Sequence, residues 1–127
     1  MQVKVEIICS PIEEAIQKSA QSPTAGALVE FWGTVRDDEN GTAITALLYE
    51  AYAAMAERQM REILDEIAVS FPCESVRVVH RQGWVGVGEA AIYVSVRARH
   101  RGEAFGMLTS FMDRLKTDVP IWKVDTL

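Results

Sequence analysis

The chain is poor in residues that hold a protein together by special chemistry. Its two cysteines, Cys9 and Cys73, stand alone, with no CxxC pair and no Cys/His cluster. Neither a disulfide framework nor a zinc site is therefore expected, and both thiols read as small buried hydrophobes. The two histidines, His80 and His100, lack a third ligand at a recognisable spacing, which speaks against a metal. There is no GxSxG, and the glycines from Gly83 to Gly88 are not followed by the helix and lysine of a phosphate loop. No apolar run approaches the ~20 residues of a membrane span, and the N-terminus alternates charge with β-branched residues where a signal peptide would be continuously apolar. A cytoplasmic address follows. Repeats, linkers and low-complexity tracts are absent as well, so residues 1–127 are expected to form a single domain.

What is present suits a packed core. Of 127 residues, 49% are hydrophobic, and a chain of this size buries roughly 65–70% of its unfolded surface. The net charge of −5 argues against nonspecific nucleic-acid binding. It is unevenly spread, however: residues 1–76 carry −8 and residues 77–127 carry +3, and a basic half suits a small anion such as a phosphate ester.

Val3, Val5 and Ile7 alternate with polar neighbours as in a half-buried strand ending near Cys9. Ser10-Pro11-Ile12-Glu13 then reads as an N-cap, a first-turn proline and an early acid, which predicts a helix over 11–19 closed by Ser22-Pro23. Residues 26–36 and 42–50 are two apolar runs around the turn signal Asn40-Gly41, so a hairpin with Arg36 at its tip is expected. Ala53, Ala56, Met60, Ile63, Leu64 and Ile67 follow helical spacing, giving about four turns before Phe71-Pro72. Strands are expected at 75–81 and 89–99, joined by a glycine loop, with Ile92, Val94, Val96 and Ala98 on the core face of the second. Helical period returns after Gly102, with Ala104, Phe105, Leu108, Phe111, Met112 and Leu115 on one stripe and Lys116 closing the helix. Met55, Met60, Met107 and Met112 read as core. Pro120 leaves Ile121 to Val124 as a last short strand. The order β α β β α β β α β describes an α+β sandwich.

Three basic signals fall at element ends, where sites usually form: Arg36, the pair His100-Arg101, and Lys116 with Lys123 on either side of Pro120. A helix starting directly after His100-Arg101 offers free backbone N–H groups and a positive dipole end, which together with an arginine suit a phosphate. Arg36, His100 and Arg101 are expected to converge on one such pocket. A lysine near other cations, or partly desolvated, serves as a nucleophile or proton-transfer group, whereas the plainer role for Lys116 is to complement its helix C-terminus.

Six short motifs in order carry more information than any one of them: Phe31 to Arg36 (FWGTVR), Tyr49 to Tyr52 (YEAY) with Met55-Ala56, His80 to Gly83 (HRQG), Gly88-Glu89, Ala98 to Arg101 (ARHR) with Ala104-Phe105, and Asp113 to Lys116 (DRLK) leading to Pro120 to Lys123 (PIWK). Together they resemble the catalytic, large-subunit family of molybdopterin synthase. That resemblance implies an α/β-hammerhead-type two-layer sandwich, mostly antiparallel with about three helices. It implies a homodimer, and a heterotetramer with a separate small ubiquitin-like sulfur-carrier subunit whose C-terminal Gly-Gly thiocarboxylate enters the pocket. Its substrate would be cyclic pyranopterin monophosphate, made into the dithiolene of molybdopterin by two sulfur transfers. No cofactor is implied. The resemblance assigns Lys116 and Lys123 to catalysis, and Thr34, Val35, Arg36, His100, Arg101, Lys116, Lys123, Val124 and Asp125 to substrate binding.

The chain departs from the family where a basic residue and then Glu usually follow Pro-x-Trp-Lys, for it has Val124-Asp125. It stops at Leu127, before a stretch whose arginine can reach the neighbouring protomer, so that cross-subunit contribution is not expected here. A binding module for a ubiquitin-like partner or a phosphorylated ligand is the competing interpretation. A small phosphoesterase is a third, with less support because no motif sets a nucleophile beside a base. Retention of both lysines favours the enzyme.

Overall fold

The computed structural model describes residues 1–18 and 21–127. Along the chain run β1 (Gln2–Ile8), α1 (Ile12–Ala15), β2 (Ala27–Thr34), β3 (Asp38–Glu39), β4 (Thr42–Ala43), β5 (Ala46–Ala51), α2 (Ala53–Ala68), β6 (Ser75–Arg81), β7 (Gly83–Gly86), β8 (Ala90–Ala98), α3 (Arg101–Asp118) and β9 (Ile121–Thr126). A four-stranded sheet has the order β1-β6-β8-β2, with β1 parallel to β6 and the other pairs antiparallel. A three-stranded antiparallel sheet, β7-β5-β9, stands beside it, and β3 with β4 forms a two-rung ladder. This is the mixed α+β arrangement, mostly antiparallel with three helices, that the sequence implies.

Period decides which face each element buries. Met60 and Leu64 of α2 and Met107 and Phe111 of α3 are sealed against Val76, Val78, Val94 and Val96 on one face of the larger sheet. Each such large side chain stabilises the fold by roughly 1.5–3 kcal/mol relative to exposure. The opposite face is covered only in part by α1, whose Ile12 packs with Val79, Ala90 and Tyr93, while Leu28 and Trp32 of β2 stay exposed. Val35, Ile44, Leu47, Val85 and Ala91 make a second, smaller core under the three-stranded sheet. Gly106 on α3 leaves room for the Phe71 ring, since a Cβ there would lie 2.3 Å from its Cδ1 and Cε1.

Several expectations need correction. The runs at 26–36 and 42–50 do not pair with each other: β2 joins β8, β5 lies between β7 and β9, and the Asn40-Gly41 turn closes only the ladder of β3 and β4. The reason is that Val35 and Ile44 are both drawn into the smaller core, which ends the ladder after two rungs. The first helix is one turn long, capped by Pro11 rather than Ser10 and without a side-chain cap bond; its expected end at Ser19 lies outside the described residues. The glycine loop contains β7, α3 continues past Lys116 to Asp118, and β9 continues past Val124 to Thr126. On α3 the sealed stripe is Ala104, Met107, Phe111 and Leu115, while Phe105 is 55% exposed. Cys9 is exposed and Cys73 only half-buried, and Met55 faces solvent on the polar side of α2. No helix among the described residues is long and apolar enough to cross a membrane.

Candidate functional site

Three separate elements end at one cavity. β2 closes against β8 at Gly33, where a Cβ would come within 2.6 Å of Ile92, and the ladder slips one residue before Thr34. Beyond it Val35 is buried, its N–H donating to Glu89 and its carbonyl accepting from Gly88, which anchors the chain and leaves Arg36 exposed at the rim. The second element is the last turn of α3, carrying Lys116. The third is β9: Pro120 cannot continue a helix, Val119 is extended, and the strand returns along β5 with Lys123 opposite Tyr49.

These ends enclose a cavity of about 540 Å³. Thr34, Arg36, Tyr49, His80, Lys116 and Lys123 supply its polar groups, and Phe31, Ile92, Met112, Leu115 and Ile121 its apolar wall. Lys123 Nζ lies 3.3 Å from Glu39 Oε1, so the β3–β4 hairpin reaches over the rim. Three cations against one carboxylate leave the site positive, which suits an anion. On the floor, the rings of Tyr49 and His80 meet edge to face with centroids 5.3 Å apart. Burial raises the Tyr49 phenol above its ordinary value, and the Glu39 charge adds to this. Burial pushes the His80 imidazole down to about 4, opposed only in part by its hydrogen bond to the Arg81 carbonyl. Cationic donors beside an apolar wall can hold a phosphorylated heterocycle, with the phosphate at the rim and the ring against the wall.

Of the residues expected from the sequence, Thr34, Arg36, Lys116 and Lys123 are brought together here. His100 and Arg101 are not. They begin α3, and Lys116 lies fifteen residues further along it, about 22 Å at 1.5 Å per residue. The expected convergence of Arg36 with His100 and Arg101 therefore fails within one chain. His100 is exposed at the helix start, 3.6 Å from Glu103, beside a shallow depression lined by Pro23, Gly26 and Arg99. Val35 has its side chain in the smaller core and both backbone groups bonded, so it places Arg36 and offers a ligand no side chain. Val124 and Asp125 are exposed on β9 and do not line the cavity; the Asp125 carboxylate accepts from the Thr126 N–H.

Sequence reasoning gave no site role to Glu39, Tyr49 or His80. Glu39 belongs to an acidic run beside a turn, and its pairing with Lys123 spans 84 positions. His80 continues the apolar alternation of Val76 and Val78, the ordinary signature of a core position. Among the described residues, no three His, Cys, Asp or Glu side chains are grouped so as to hold a metal.

The family model for MoaE protein matches residues 9–118. A molybdopterin synthase catalytic subunit of Thermoplasma volcanium is 45% identical over 105 residues, covering 83% of this chain and 77% of that one. Among solved structures, molybdopterin synthase from Staphylococcus aureus superposes with a TM-score of 0.85 at 34% identity, covering 96% of this chain and 89% of that one. The fold is also that of a protein in a complex of subunits 1 and 2 of molybdopterin-converting factor from Helicobacter pylori, with a TM-score of 0.75 at 23% identity, over 97% and 83% of the two chains.

Proposed function

The chain belongs to the MoaE family, that of the molybdopterin synthase catalytic subunits, and from that premise we propose that its cavity takes cyclic pyranopterin monophosphate and passes sulfur to it from a small carrier subunit. The carrier brings a C-terminal Gly-Gly thiocarboxylate. In each transfer the thiocarboxylate sulfur bonds to a side-chain carbon of the pterin as that carbon's bond to oxygen breaks, the oxygen leaving as water in one round and with the phosphate, whose ring opens, in the other; water then cleaves the acyl–sulfur bond, returning the carrier's carboxylate. Two rounds build the dithiolene, within a single domain of residues 1–127 working in the cytoplasm.

The observation that carries this reading is the arrival of Arg36, Lys116 and Lys123 at one cavity from three separate elements. Arg36 at the rim suits the phosphate, which a planar guanidinium binds through two parallel hydrogen bonds. Lys116 and Lys123 stand on either side of Pro120, where ammonium groups stabilise the oxyanion that develops on the acyl carbon and an amine moves a proton as the pterin ring opens. His100 and Arg101 reach this cavity only from a second copy of the chain, which is how the proposed homodimer would supply them. The Helicobacter pylori complex, being one of two different subunits, supports a separate carrier as partner.

Replacing Lys116 tests the reading. With thiocarboxylated carrier and cyclic pyranopterin monophosphate, Lys116→Ala is expected to abolish product while leaving the fold intact, because an exposed lysine in a last helical turn contributes at most about 1 kcal/mol to stability. Lys116→Arg keeps the charge but cannot release a proton at neutral pH, and is expected to be nearly as inactive. Near-normal turnover by Lys116→Arg would remove the proton-transfer role from this residue.

A further inference from the structure

We infer that His80 contacts the substrate, presenting the bare Nε2 of a neutral imidazole as hydrogen-bond acceptor to an N–H or O–H group of the bound heterocycle; this deepens, and rests on, the pterin reading above.

The tautomer follows from one contact. His80 Nδ1 lies 2.9 Å from the carbonyl oxygen of Arg81, and a carbonyl can only accept, so Nδ1 carries the proton. Nε2 is then a lone pair. Among the described residues nothing donates to it, although the residue as a whole is only 5% exposed. Nε2 is also not among the sealed polar atoms of the described residues that lack a partner, so the cavity His80 lines is what reaches it. The Tyr49 ring, set edge to face against the imidazole, restricts its rotation.

The rest of the cavity makes an acceptor valuable. Arg36, Lys116 and Lys123 have donors only, the Glu39 carboxylate is engaged by Lys123, and besides His80 the strong side-chain acceptors of the lining are the Thr34 and Tyr49 hydroxyls. A phosphate satisfies those donors, but a heterocycle against the apolar wall brings N–H groups of its own, and a buried donor without a partner weakens binding. Burial opposes a charge on His80, and the hydrogen bond to the Arg81 carbonyl offsets this only in part. Its conjugate acid, already deprotonated above about pH 4, is too strong for the group to store a proton near neutrality. The ring therefore acts as an acceptor and not as a general base.

Two amide substitutions separate this role from a merely structural one, since each reproduces a different ring nitrogen. In His80→Asn the side-chain N–H still reaches the Arg81 carbonyl but nothing replaces Nε2. In His80→Gln the amide extends to about the position of Nε2 and offers its oxygen as acceptor. KM and kcat are to be measured for wild type and both variants with thiocarboxylated carrier and cyclic pyranopterin monophosphate. The expected result is a KM raised roughly tenfold or more in His80→Asn and only a few-fold in His80→Gln. Wild-type kinetics in His80→Asn, or Asn outperforming Gln, would overturn the inference while leaving the substrate reading in place. A wild-type chain with no turnover would remove that reading and this inference with it. Should either variant fail to fold, ¹⁵N NMR of the wild-type chain decides. Its two histidines are told apart with His100→Gln, and the His80 Nε2 resonance is expected in the unprotonated range, shifting when cyclic pyranopterin monophosphate is added. A protonated Nε2, or a resonance that saturating substrate leaves unmoved, would refute the contact.

Discussion

Replacing Glu39 by glutamine removes the carboxylate that holds Lys123 while keeping its size. At 3.3 Å the gross attraction is about 1.3 kcal/mol with the dielectric constant of water and about 5 kcal/mol at an effective value of 20. The Lys123 side chain is 49% exposed and that of Glu39 25%, so solvent screening and the entropy of two ordered side chains reduce the net worth of the pair to ~0–1 kcal/mol. Glu39→Gln should thus leave unfolding by urea within about 1 kcal/mol of wild type. A phosphorylated substrate, however, must compete with Glu39 for Lys123, and relief of that competition should lower its Kd by as much as about fivefold. Titration calorimetry with cyclic pyranopterin monophosphate at ~50 mM salt measures this, and the gain should shrink at ~500 mM as screening shortens the reach of each charge. An unchanged or weaker Kd at low salt would refute the competition and show that Glu39 instead holds Lys123 where the substrate needs it.

Two further outcomes concern stability. Gly106→Ala gains about 1 kcal/mol of helix propensity, but the new methyl would stand 2.3 Å from the Phe71 ring, and such overpacking costs ~1–3 kcal/mol. A net loss is expected in urea denaturation, and a gain of about 1 kcal/mol would mean that the ring swings clear at no cost. Burial keeps the native His80 imidazole neutral down to about pH 4 against an ordinary value of 6.5, so between those limits the unfolded chain binds more protons and the fold is favoured less as pH falls. Up to about 3 kcal/mol should be lost between pH 6.5 and 4, and His80→Gln should flatten that loss when the same denaturation is run at several pH values.

The elements were legible wherever one period ran far enough to be unambiguous, as in α2, β8 and the spine of α3. Pairing was less so. The runs around Asn40-Gly41 look like a hairpin locally, yet each strand forms its ladder with a partner more than thirty residues away along the chain, and nothing in a turn signal reports on such partners. Phe105 fits the helical stripe by spacing but falls at its edge, away from the sheet, and stays exposed. At the cavity, lysines and arginines were visible because cations at element ends are conspicuous. His80 was not, because its alternation with Val76 and Val78 is the same whether the strand ends in a core or in a pocket floor. The separation of Arg36 from His100 follows from the length of α3, whose reach of fifteen residues from Arg101 to Lys116, about 22 Å, exceeds the span of a single phosphate.

That length makes the two groups of basic residues genetically separable. If each cavity draws Arg36, Lys116 and Lys123 from one chain and His100 with Arg101 from its partner, a chain inactivated by Lys116→Ala and one inactivated by His100→Ala damage different halves of the same site. Paired with each other, they form a hybrid with one doubly broken cavity and one that is whole. Random reassortment makes half of all pairs hybrids, so an equimolar mixture of two dead proteins should recover roughly a quarter of wild-type activity.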